Sequence, residues 1–428
     1  MDKRRILVFP CGSEIGLEIH RSLKHSAHFD LVGASSLDDH GRFVYDDYVD
    51  GIPFIDDPAA IPTLREIVAS RKIAAIYPAM DKVLWKLKVS EGDLGCRVIA
   101  SSPETTAICL SKTRTYAHLQ SRIKVPRVYA GIEAVTEYPV FAKPDVGYGT
   151  RGTFKADHAE ELRAFLEIHS ATPYILTEYL PGPEYTVDCF TDRHGDLRFV
   201  GPRGRERVSN GISVHTSREQ DDADIFKTMA RTLNQAISFR GAWFFQVKRD
   251  TAGELTLLEI ASRLAGSSAL HRALGVNFAL LSLYDAFDLD VDIVLNDFDV
   301  ELDRALNSRY KTNLSYSRVF MDFDDTLIVN GKVNPEAAVF LLQCRNEGKQ
   351  IILISKHLGD LAAELARLRI TELFDQVLHL KPDDEKSRYL PDSDAIFIDD
   401  SFSERKKVAQ SRRIPVFDVH MLEALMRY

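Results

Sequence analysis

The sequence predicts a multidomain protein of mixed α/β and α+β class, and three observations indicate it. Apolar segments alternate with helical segments over about the first 100 residues, which is typical of a parallel, doubly wound sheet. From about residue 110, strand-like segments joined by glycine- and proline-rich turns indicate an antiparallel α+β region. A polar stretch at residues 302–313 then precedes a new alternation of strands and helices that starts at Val319. We therefore predict domains at residues 1–108, 109–310 and 317–428.

The composition is that of an ordinary globular protein, with 428 residues, 45% hydrophobic and 27% charged. The net charge of −9 argues against an extended nucleic-acid surface. No run of about 18 apolar residues predicts a membrane helix, and the apolar part of the N-terminus is too short for a signal peptide. Five scattered cysteines without CxxC spacing are expected to be reduced thiols. We expect a cytoplasmic enzyme without nucleic-acid or membrane partners.

The first domain begins with a predicted buried strand at residues 5–9 (RILVF). A turn that contains Gly12 and Gly16 follows, and a helical stretch then extends through Leu23. Residues 31–34 and 74–77 are further predicted strands, with a helix at 62–69 between them. The two glycines fit a dinucleotide-binding turn, but any tight strand-to-helix turn needs glycine as well, so both interpretations stay open.

The middle region contains a glycine-rich loop after a strand, in residues 138–153 (YPVFAKPDVGYGTRGT). Lys143 lies at the predicted end of the strand, and Gly147, Gly149 and Gly152 lie in the loop. Glycines let backbone N–H groups approach a polyphosphate closely, and a lysine supplies the positive charge. The alternative is a mobile surface loop with an ordinary exposed lysine.

Residues 175–188 (ILTEYLPGPEYTVD) predict a strand, a Pro-Gly turn and a second strand. The backbone of Glu178, Tyr179 and Leu180 offers a donor and an acceptor for an adenine edge, and Glu184 offers an acceptor for ribose hydroxyls. Residues 242–247 and 255–260 predict paired strands, which would place Gln246 beside Glu259 as oxygen ligands for magnesium.

This ordered series resembles the ATP-grasp superfamily over about residues 1–300, especially the branch of the carbamoyl-phosphate-synthase large chain and the pyrrolysine-pathway ligases. The resemblance implies a βαβ domain that precedes an ATP-grasp fold, which binds ATP with Mg²⁺ or Mn²⁺. The implied ATP-contacting residues are Lys112 and Lys143 on phosphate, the loop of Gly147, Gly149 and Gly152, the hinge of Glu178, Tyr179 and Leu180, Glu184 on ribose, and Arg263 on phosphate or the acyl phosphate. Gln246 and Glu259 are the implied metal ligands.

One position departs from the ATP-grasp pattern. The family often has asparagine two residues after the metal-binding glutamate, where this chain has Ala261. Because alanine cannot coordinate a cation, a second magnesium must use other oxygens or bind weakly, while ATP binding stays plausible.

Arg203, Arg205 and Arg207 alternate within GPRGRERVSNGIS. On one face of a strand they would bind a substrate carboxylate or phosphate. The alternative is a solvated charged strand. ATP-grasp enzymes mostly phosphorylate a carboxylate, and an amine or thiol then displaces phosphate, so the resemblance implies small carboxylate and amine substrates. Relatives are often dimers, which leaves a homodimer open.

The last domain opens with RVFMDFDDTL, an apolar strand that ends at Asp322, Asp324 and Asp325. The mutual repulsion of these carboxylates requires a cation. Taken alone, the cluster is also compatible with a calcium-like or incidental acidic turn. Further polar residues follow predicted βα elements, namely Ser355, Lys386, Asp399 and Asp400.

This spacing resembles the haloacid-dehalogenase (HAD) superfamily over about residues 317–428. The resemblance implies that Asp322 is the nucleophile, Asp324 the general acid–base, Ser355 a phosphoryl ligand and Lys386 a neutralising charge. It also implies a magnesium site of Asp322, Asp324, Asp399 and Asp400. Asp325 stands where glycine is frequent, and Glu404 where aspartate is often found. The spacing leaves no room for a large cap, so a capless, Rossmann-like domain would accept a bulky substrate or borrow a lid.

The combined prediction is a bifunctional enzyme, an ATP-dependent carboxylate–amine or carboxylate–thiol ligase fused to a magnesium-dependent phosphatase that acts on a phosphate ester. Three alternatives stay open. The first part is a regulatory ATP-binding module, which Ala261 favours; the last domain is a non-catalytic scaffold; or the chain phosphorylates a small acid as carbamoyl phosphate synthase does. The single copy of the ATP-binding series disfavours the third.

Overall fold

The computed structural model describes residues 3–147, 149 and 151–427. The chain divides into two compact units, Met1–Leu306 and Asn307–Tyr428, which we call unit 1 and unit 2.

Unit 1 begins with a parallel sheet. Its strands are β1 (Arg4–Phe9), β2 (Phe29–Ala34), β3 (Asp47–Val49), β4 (Ile73–Pro78) and β5 (Arg97–Val98), in the order β3-β2-β1-β4-β5. The helices of this region are α1 (Glu14–Leu23), α2 (Gly41–Val44), α3 (Ala60–Arg71), α4 (Asp81–Val89), α5 (Glu91–Leu94) and α6 (Pro103–Leu110). Side chains on both faces of β1 are buried, which explains its continuous apolar sequence. The predicted parallel sheet is confirmed.

The two glycines of the turn after β1 are closely packed. A Cβ atom at Gly12 would collide with the Asp39 carboxylate, and one at Gly16 would collide with the backbone of Cys11. An acidic side chain therefore fills the space beside Gly12 that an anion would need. The close packing of both glycines favours the interpretation of a tight strand-to-helix turn.

Two antiparallel sheets follow. The first contains β6 (Val128–Tyr129), β7 (Val140–Pro144), β8 (Phe154–Ala156) and β9 (Tyr174–Glu178), in the order β6-β9-β7-β8. The second contains β10 (Glu184–Thr191), β11 (Leu197–Gly204), β14 (Gly241–Arg249) and β15 (Leu255–Ala261), in the order β11-β10-β14-β15. The antiparallel pairing predicted for this region is confirmed.

A smaller antiparallel sheet and several helices complete unit 1. The sheet consists of β12 (Arg207–Ser209), β13 (Ile212–Ser217) and β16 (Glu301–Asp303). The helices are α7 (Lys112–Leu119), α8 (Ala159–Ile168), α9 (Ala223–Ala236), α10 (Ala269–Ala273), α11 (Phe278–Ala286) and a 3-10 helix at Ile132–Ala134. Asn210 and Gly211 both have positive φ, at 50° and 76°, which suits the tight turn between β12 and β13.

The structure does not separate residues 1–108 from the region that follows. The predicted boundary falls inside α6, and Ile6 and Val8 of β1 share one apolar cluster with Phe278 and Leu283 of α11. The second boundary, predicted between residues 310 and 317, lies a few residues earlier at Leu306/Asn307.

Unit 2 is built on a parallel sheet. Its strands are β17 (Arg318–Met321), β20 (Gln350–Ser355), β21 (Gln376–His379), β22 (Ala395–Ile398) and β23 (Val416–Phe417), in the order β21-β20-β17-β22-β23, and β18 (Ile328–Val329) pairs with β19 (Lys332–Val333) in a hairpin. The helices are α12 (Pro335–Asn346), α13 (Leu361–Leu368) and α14 (Phe402–Arg412), with 3-10 helices at Thr371–Leu373, Lys386–Tyr389 and Val419–Leu425.

The central strand β17 has a core on each face of the sheet. Val319 and Met321 belong to one apolar cluster and Phe320 to another, as the alternation of side chains along a strand requires. Between β17 and β20 the described chain forms only the short hairpin and α12. The described part of unit 2 thus contains no inserted cap domain.

Across the described ranges of both units, no helix combines the length and the apolar character needed to cross a membrane.

Candidate functional sites

Unit 1 contains two adjoining cavities, a small cavity of about 140 Å³ and a large cavity of about 660 Å³. The residues that line both are Lys112, Gly147, Gly149, Arg151, Gln246 and Glu259. The two cavities therefore meet at residues predicted to bind phosphate and metal.

The small cavity contains the predicted adenine hinge. Glu178, Tyr179, Leu180 and Glu184 all line it, at the connection from β9 to β10. The Glu178 N–H already donates to the carbonyl oxygen of Arg127, at 3.0 Å. The hinge donor must therefore come from the Tyr179 or Leu180 N–H.

Lys143 lies within β7, also lines the small cavity, and is only 5% exposed, so the alternative of an ordinary surface lysine is wrong. Its ammonium donates to the Tyr116 hydroxyl at 2.7 Å, and that hydroxyl donates to the Leu258 carbonyl at 2.6 Å. Burial, together with the nearby charge of Lys112, lowers the pKa of Lys143 to about 7, although Glu259 opposes the shift. Lys143 is buried beside the cavity, and no carboxylate of the described residues lies within ion-pair distance of its ammonium.

Lys112 and the glycine loop line the other side of this junction. Lys112 is the first residue of α7, and its Nζ lies 3.4 Å from the Gly147 carbonyl oxygen. Gly149 and Gly152 have φ values of 64° and 71°, in the left-handed region that favours glycine. A Cβ at Gly211, in the turn between β12 and β13, would collide with the backbone of Gly149. The hairpin turn thus packs directly on the glycine loop.

Gln246 and Glu259 are directly paired across β14 and β15, as predicted. With the Gln246 amide oriented so that both of its ends are satisfied, its nitrogen donates to Glu259 Oε1 at 3.2 Å and its oxygen accepts from Arg205 Nη1 at 2.9 Å. Rotating this amide would turn its oxygen toward the carboxylate. A carboxylate and an amide oxygen at the junction of the cavities are the hard donors that Mg²⁺ requires, so these residues fit a divalent cation.

The prediction that three arginines share one strand face is wrong, because β11 ends at Gly204 and the chain turns into β12. Arg203 is buried and donates from Nε to Asp188 at 2.7 Å. Arg205 pairs with Glu184 at 2.8 Å and donates to the Gly211 carbonyl. Both line the large cavity, whereas Arg207 is exposed on β12 and pairs with Asp303.

Arg263 also lines the large cavity. Its guanidinium makes a bidentate ion pair with Asp81, at 2.8 and 2.7 Å, and lies over the Phe244 ring at 5.3 Å. Asp81 lies at the start of α4, 182 positions away in the sequence. The role of Asp81 was missed, because nothing in the local sequence indicates a partner at that separation.

Unit 2 brings Asp322, Asp399 and Asp400 together at the carboxyl ends of β17 and β22, with ligand atoms within 4.8 Å of one another. The Lys386 ammonium lies 2.7 Å from Asp322 Oδ1 and 2.6 Å from Asp399 Oδ2. Burial raises the pKa of Asp322 to about 6, although Lys386 opposes the shift. Three crowded carboxylates with a single ammonium among them fit a divalent cation as well.

Asp324 is not part of this carboxylate cluster, and its assignment to the metal site stays a prediction. Its side chain is 51% exposed, and both carboxylate oxygens lie 3.0 Å from His357 Nδ1. The His357 backbone N–H donates to the buried Ser355 hydroxyl at 3.1 Å. His357 was missed by the sequence analysis, although it follows Ser355 by only two positions.

The backbone at Asp325 has a conformation that glycine adopts easily. Its φ is 53°, a left-handed conformation that aspartate tolerates better than most residues. The next residue, Thr326, accepts a hydrogen bond from the Asp400 N–H at 2.9 Å, which ties the β17 loop to the β22 loop. Glu404 lies outside the carboxylate cluster and accepts from Lys356 at 3.0 Å.

Unit 1 is similar to ATP-grasp proteins in part of its sequence and in its fold. A family model described as "ATP-grasp in the biosynthetic pathway with Ter operon" matches residues 170–303. The arginine-specific large chain of carbamoyl phosphate synthase from Halalkalibacterium halodurans is 43% identical over 58 residues. That match covers 13% of this chain and only 6% of that protein.

Solved structures share the fold at low sequence identity. A biotin carboxylase complex from Campylobacter jejuni has a TM-score of 0.58 and 17% identity, and the match covers 69% of this chain and 74% of that one. The ADP complex of N5-carboxyaminoimidazole synthetase from Staphylococcus aureus has a TM-score of 0.58 and 16% identity, and the match covers 69% of this chain and 80% of that one. An L-amino acid ligase from Bacillus licheniformis has a TM-score of 0.53 and 16% identity, and the match covers 67% of this chain and 74% of that one.

Proposed function

We propose that unit 1 is an ATP-dependent carboxylate–amine or carboxylate–thiol ligase that acts through an acylphosphate and releases ADP. The observation that carries this proposal is the junction of the two cavities at Gln246 and Glu259. Adenosine would occupy the small cavity, with the acid in the large one, and the transferred phosphoryl group would lie between them. This continuous arrangement supports direct phosphoryl transfer to a bound acid.

In the proposed reaction, a carboxylate oxygen of the acid attacks the γ-phosphorus, and the bond to the bridging oxygen breaks to release ADP. The amine or thiol then attacks the acyl carbon, the bond from that carbon to the phosphate oxygen breaks, and the nucleophile loses a proton. Lys112, Lys143 and Arg263 would stabilise the negative charge. A Mg²⁺ or Mn²⁺ ion at Gln246 and Glu259 would supply further charge neutralisation.

We further propose that unit 2 is a capless HAD-type phosphohydrolase. An Asp322 oxygen attacks the phosphorus of a phosphate ester, while Asp324 protonates the leaving oxygen. Water then attacks the phosphorus of the aspartyl phosphate, gives a proton to Asp324 and regenerates Asp322. Ser355 and Lys386 hold the phosphoryl oxygens. Magnesium held by Asp322, Asp399 and Asp400 would supply electrostatic stabilisation of the phosphoryl charge.

The test for unit 1 is ADP and phosphate release from ATP with a panel of carboxylates, each with and without amines or thiols. Release that requires both an acid and a nucleophile supports the ligase. ATP consumption with water alone, or formation of AMP, contradicts it.

A second candidate function for unit 1 is a nucleotide-binding regulator of the phosphatase. The buried, apolar Ala261 favours it, because this position offers the cation no side-chain oxygen. Under this alternative, Glu259→Ala retains ester hydrolysis but loses its response to ATP. Under the ligase proposal, the same variant loses ADP release.

A further inference from the structure

The cavity-facing side of the second antiparallel sheet has two neighbouring cross-strand rows of different chemistry. The metal row pairs Arg203, Thr186, Gln246 and Glu259 across β11, β10, β14 and β15. The second row, called the apolar row after Phe244 and Ala261, pairs these two residues across β14 and β15 and ends at Asp188 on β10. Asp188 is covered by Arg203 at 2.7 Å and by His271 at 3.3 Å, so Phe244 and Ala261 form the part of this row that lines the large cavity.

The apolar row lies beyond the metal row as seen from the adenine hinge. Along β14, Lys248 lines only the small cavity, Gln246 lines both cavities, and Phe244 lines only the large one. Residues two apart on a strand are separated by about 7 Å along it. The apolar row is therefore one step past the predicted phosphate position, where an acid substrate would lie.

The side chains of the apolar row that line the cavity have no oxygen. Phe244, Ala261 and Ala265 form a buried apolar cluster, and Ile15 and Ala79 line the same cavity. Phe244 and Ala261 thus offer no side-chain ligand to a cation. Small side chains at Ala261 and Ala265 leave room in a cavity whose volume is typical of small-molecule sites.

We propose that the apolar row is a specificity subsite, so that the acid substrate is a carboxylic acid whose chain carries an apolar, branched or flat group. This inference rests on the proposed ligase function. Phe244 and the two alanines contact the apolar group, while Arg263, held by Asp81 above the Phe244 ring, lies beside the carboxylate. Burial of apolar surface then selects this substrate over a polar acid of the same shape.

The test uses two pairs of acids that are nearly identical in shape. 4-Methylpentanoate is compared with succinamate, and leucine with asparagine, by titration calorimetry on the full chain saturated with the magnesium complex of the non-hydrolysable ATP analogue AMP-PNP. We expect the apolar member of at least one pair to bind at least tenfold more tightly. We expect Ala261→Asn to reduce that preference to less than threefold. The matched control is Ala252→Asn, which makes the same change in the exposed turn between β14 and β15 and should keep the preference.

The subsite would be overturned by equal binding within both pairs, by tighter binding of the polar members, or by no binding of any of the four acids. A preference that Ala261→Asn leaves unchanged would overturn it as well. The analogue titration is measured first and separates this result from a failure of the proposed function. Without nucleotide binding, the ligase proposal and the subsite fail together. Nucleotide binding without acid discrimination overturns the subsite alone.

Discussion

At the scale of single residues, the buried ammonium of Lys143, a predicted phosphate contact, lowers the free energy of unfolding. A buried ammonium without a carboxylate partner destabilises the folded chain, and the lowered pKa expresses that cost. An ATP phosphate would supply the missing negative charge. The residue is therefore suited to ligand binding rather than to folding.

We expect Lys143→Met to stabilise unit 1 while it weakens nucleotide binding. At pH 7 the free energy of unfolding should rise by about 2–4 kcal/mol, because the variant buries no charge. Affinity for MgADP should fall at least tenfold. Denaturant unfolding and titration calorimetry measure the two effects, and Lys227→Met on the exposed surface of α9 is the control. A destabilised variant with normal affinity would contradict this account of Lys143.

The same lysine predicts a pH dependence. Its pKa is about 7 in the folded chain and 10.5 when unfolded, so between these values the unfolded chain binds the additional proton. The free energy of unfolding of the wild type should therefore rise from pH 7 to 10.5. The excess stability of Lys143→Met over the wild type should shrink over the same window. Unfolding curves at pH 7, 8.5 and 10 measure it. An advantage that is constant with pH would show that Lys143 keeps its proton when buried.

Nucleotide binding should reverse this proton loss. At pH 8 the free Lys143 is mostly neutral, and an ATP or ADP phosphate favours the ammonium form. MgADP binding should thus take up close to one proton at pH 8 and much less at pH 6. Calorimetry in buffers of different ionisation enthalpy measures the uptake. Equal uptake by wild type and Lys143→Met would assign the proton to another group.

At the scale of secondary-structure elements, apolar periodicity predicted most strands correctly and long-range pairing only in part. Residues 5–9, 31–34 and 74–77 were recognised as strands because a buried parallel strand has a continuous apolar sequence. The short turn made the pairing of β14 with β15 predictable, and a register shift between Gln246 and Val247 brings Gln246 opposite Glu259. Local sequence therefore carries the information where the partner is close along the chain.

The missed contacts join elements that are far apart in sequence. Arg263 pairs with Asp81 across 182 positions, and the contact of Asp324 with His357 depends on how two strand ends meet. The arginine series failed for another reason. Alternating charges are compatible with one strand, but β11 ends at Gly204, which puts Arg207 in a different sheet.

The hairpin of β12 and β13 provides a prediction at this scale. Gly211→Ala introduces a Cβ at a φ of 76° and forces it against the Gly149 backbone, whereas Gly253→Ala has a similar φ of 80° and open space. Both substitutions should cost about 1 kcal/mol through backbone conformation. Only Gly211→Ala should also displace the glycine loop and weaken MgADP binding, by at least fivefold in calorimetry. Equal affinities of the two variants would show that the hairpin does not position the loop.

At the scale of the whole molecule, the two proposed phosphate-handling sites have separate carboxylate sets and lie in two compact units. Glu259 belongs to unit 1, and Asp322 to unit 2. Because each unit has its own core and its own set of oxygen ligands, the two activities should be separable by single substitutions. The regulatory alternative predicts the opposite result, because ester hydrolysis by unit 2 would then depend on ATP bound to unit 1.

We expect Asp322→Asn to abolish hydrolysis of p-nitrophenyl phosphate while ADP release from ATP, acid and amine continues at the wild-type rate. Glu259→Ala should show the reverse pattern, with loss of ADP release by at least a hundredfold. Hydrolysis that persists in Asp322→Asn would show that this aspartate is not the nucleophile. Hydrolysis by wild type that changes with ATP, and no longer does so in Glu259→Ala, would favour regulation. Independent losses in the two variants would establish two catalysts in one chain, since each carboxylate then serves only the reaction of its own unit.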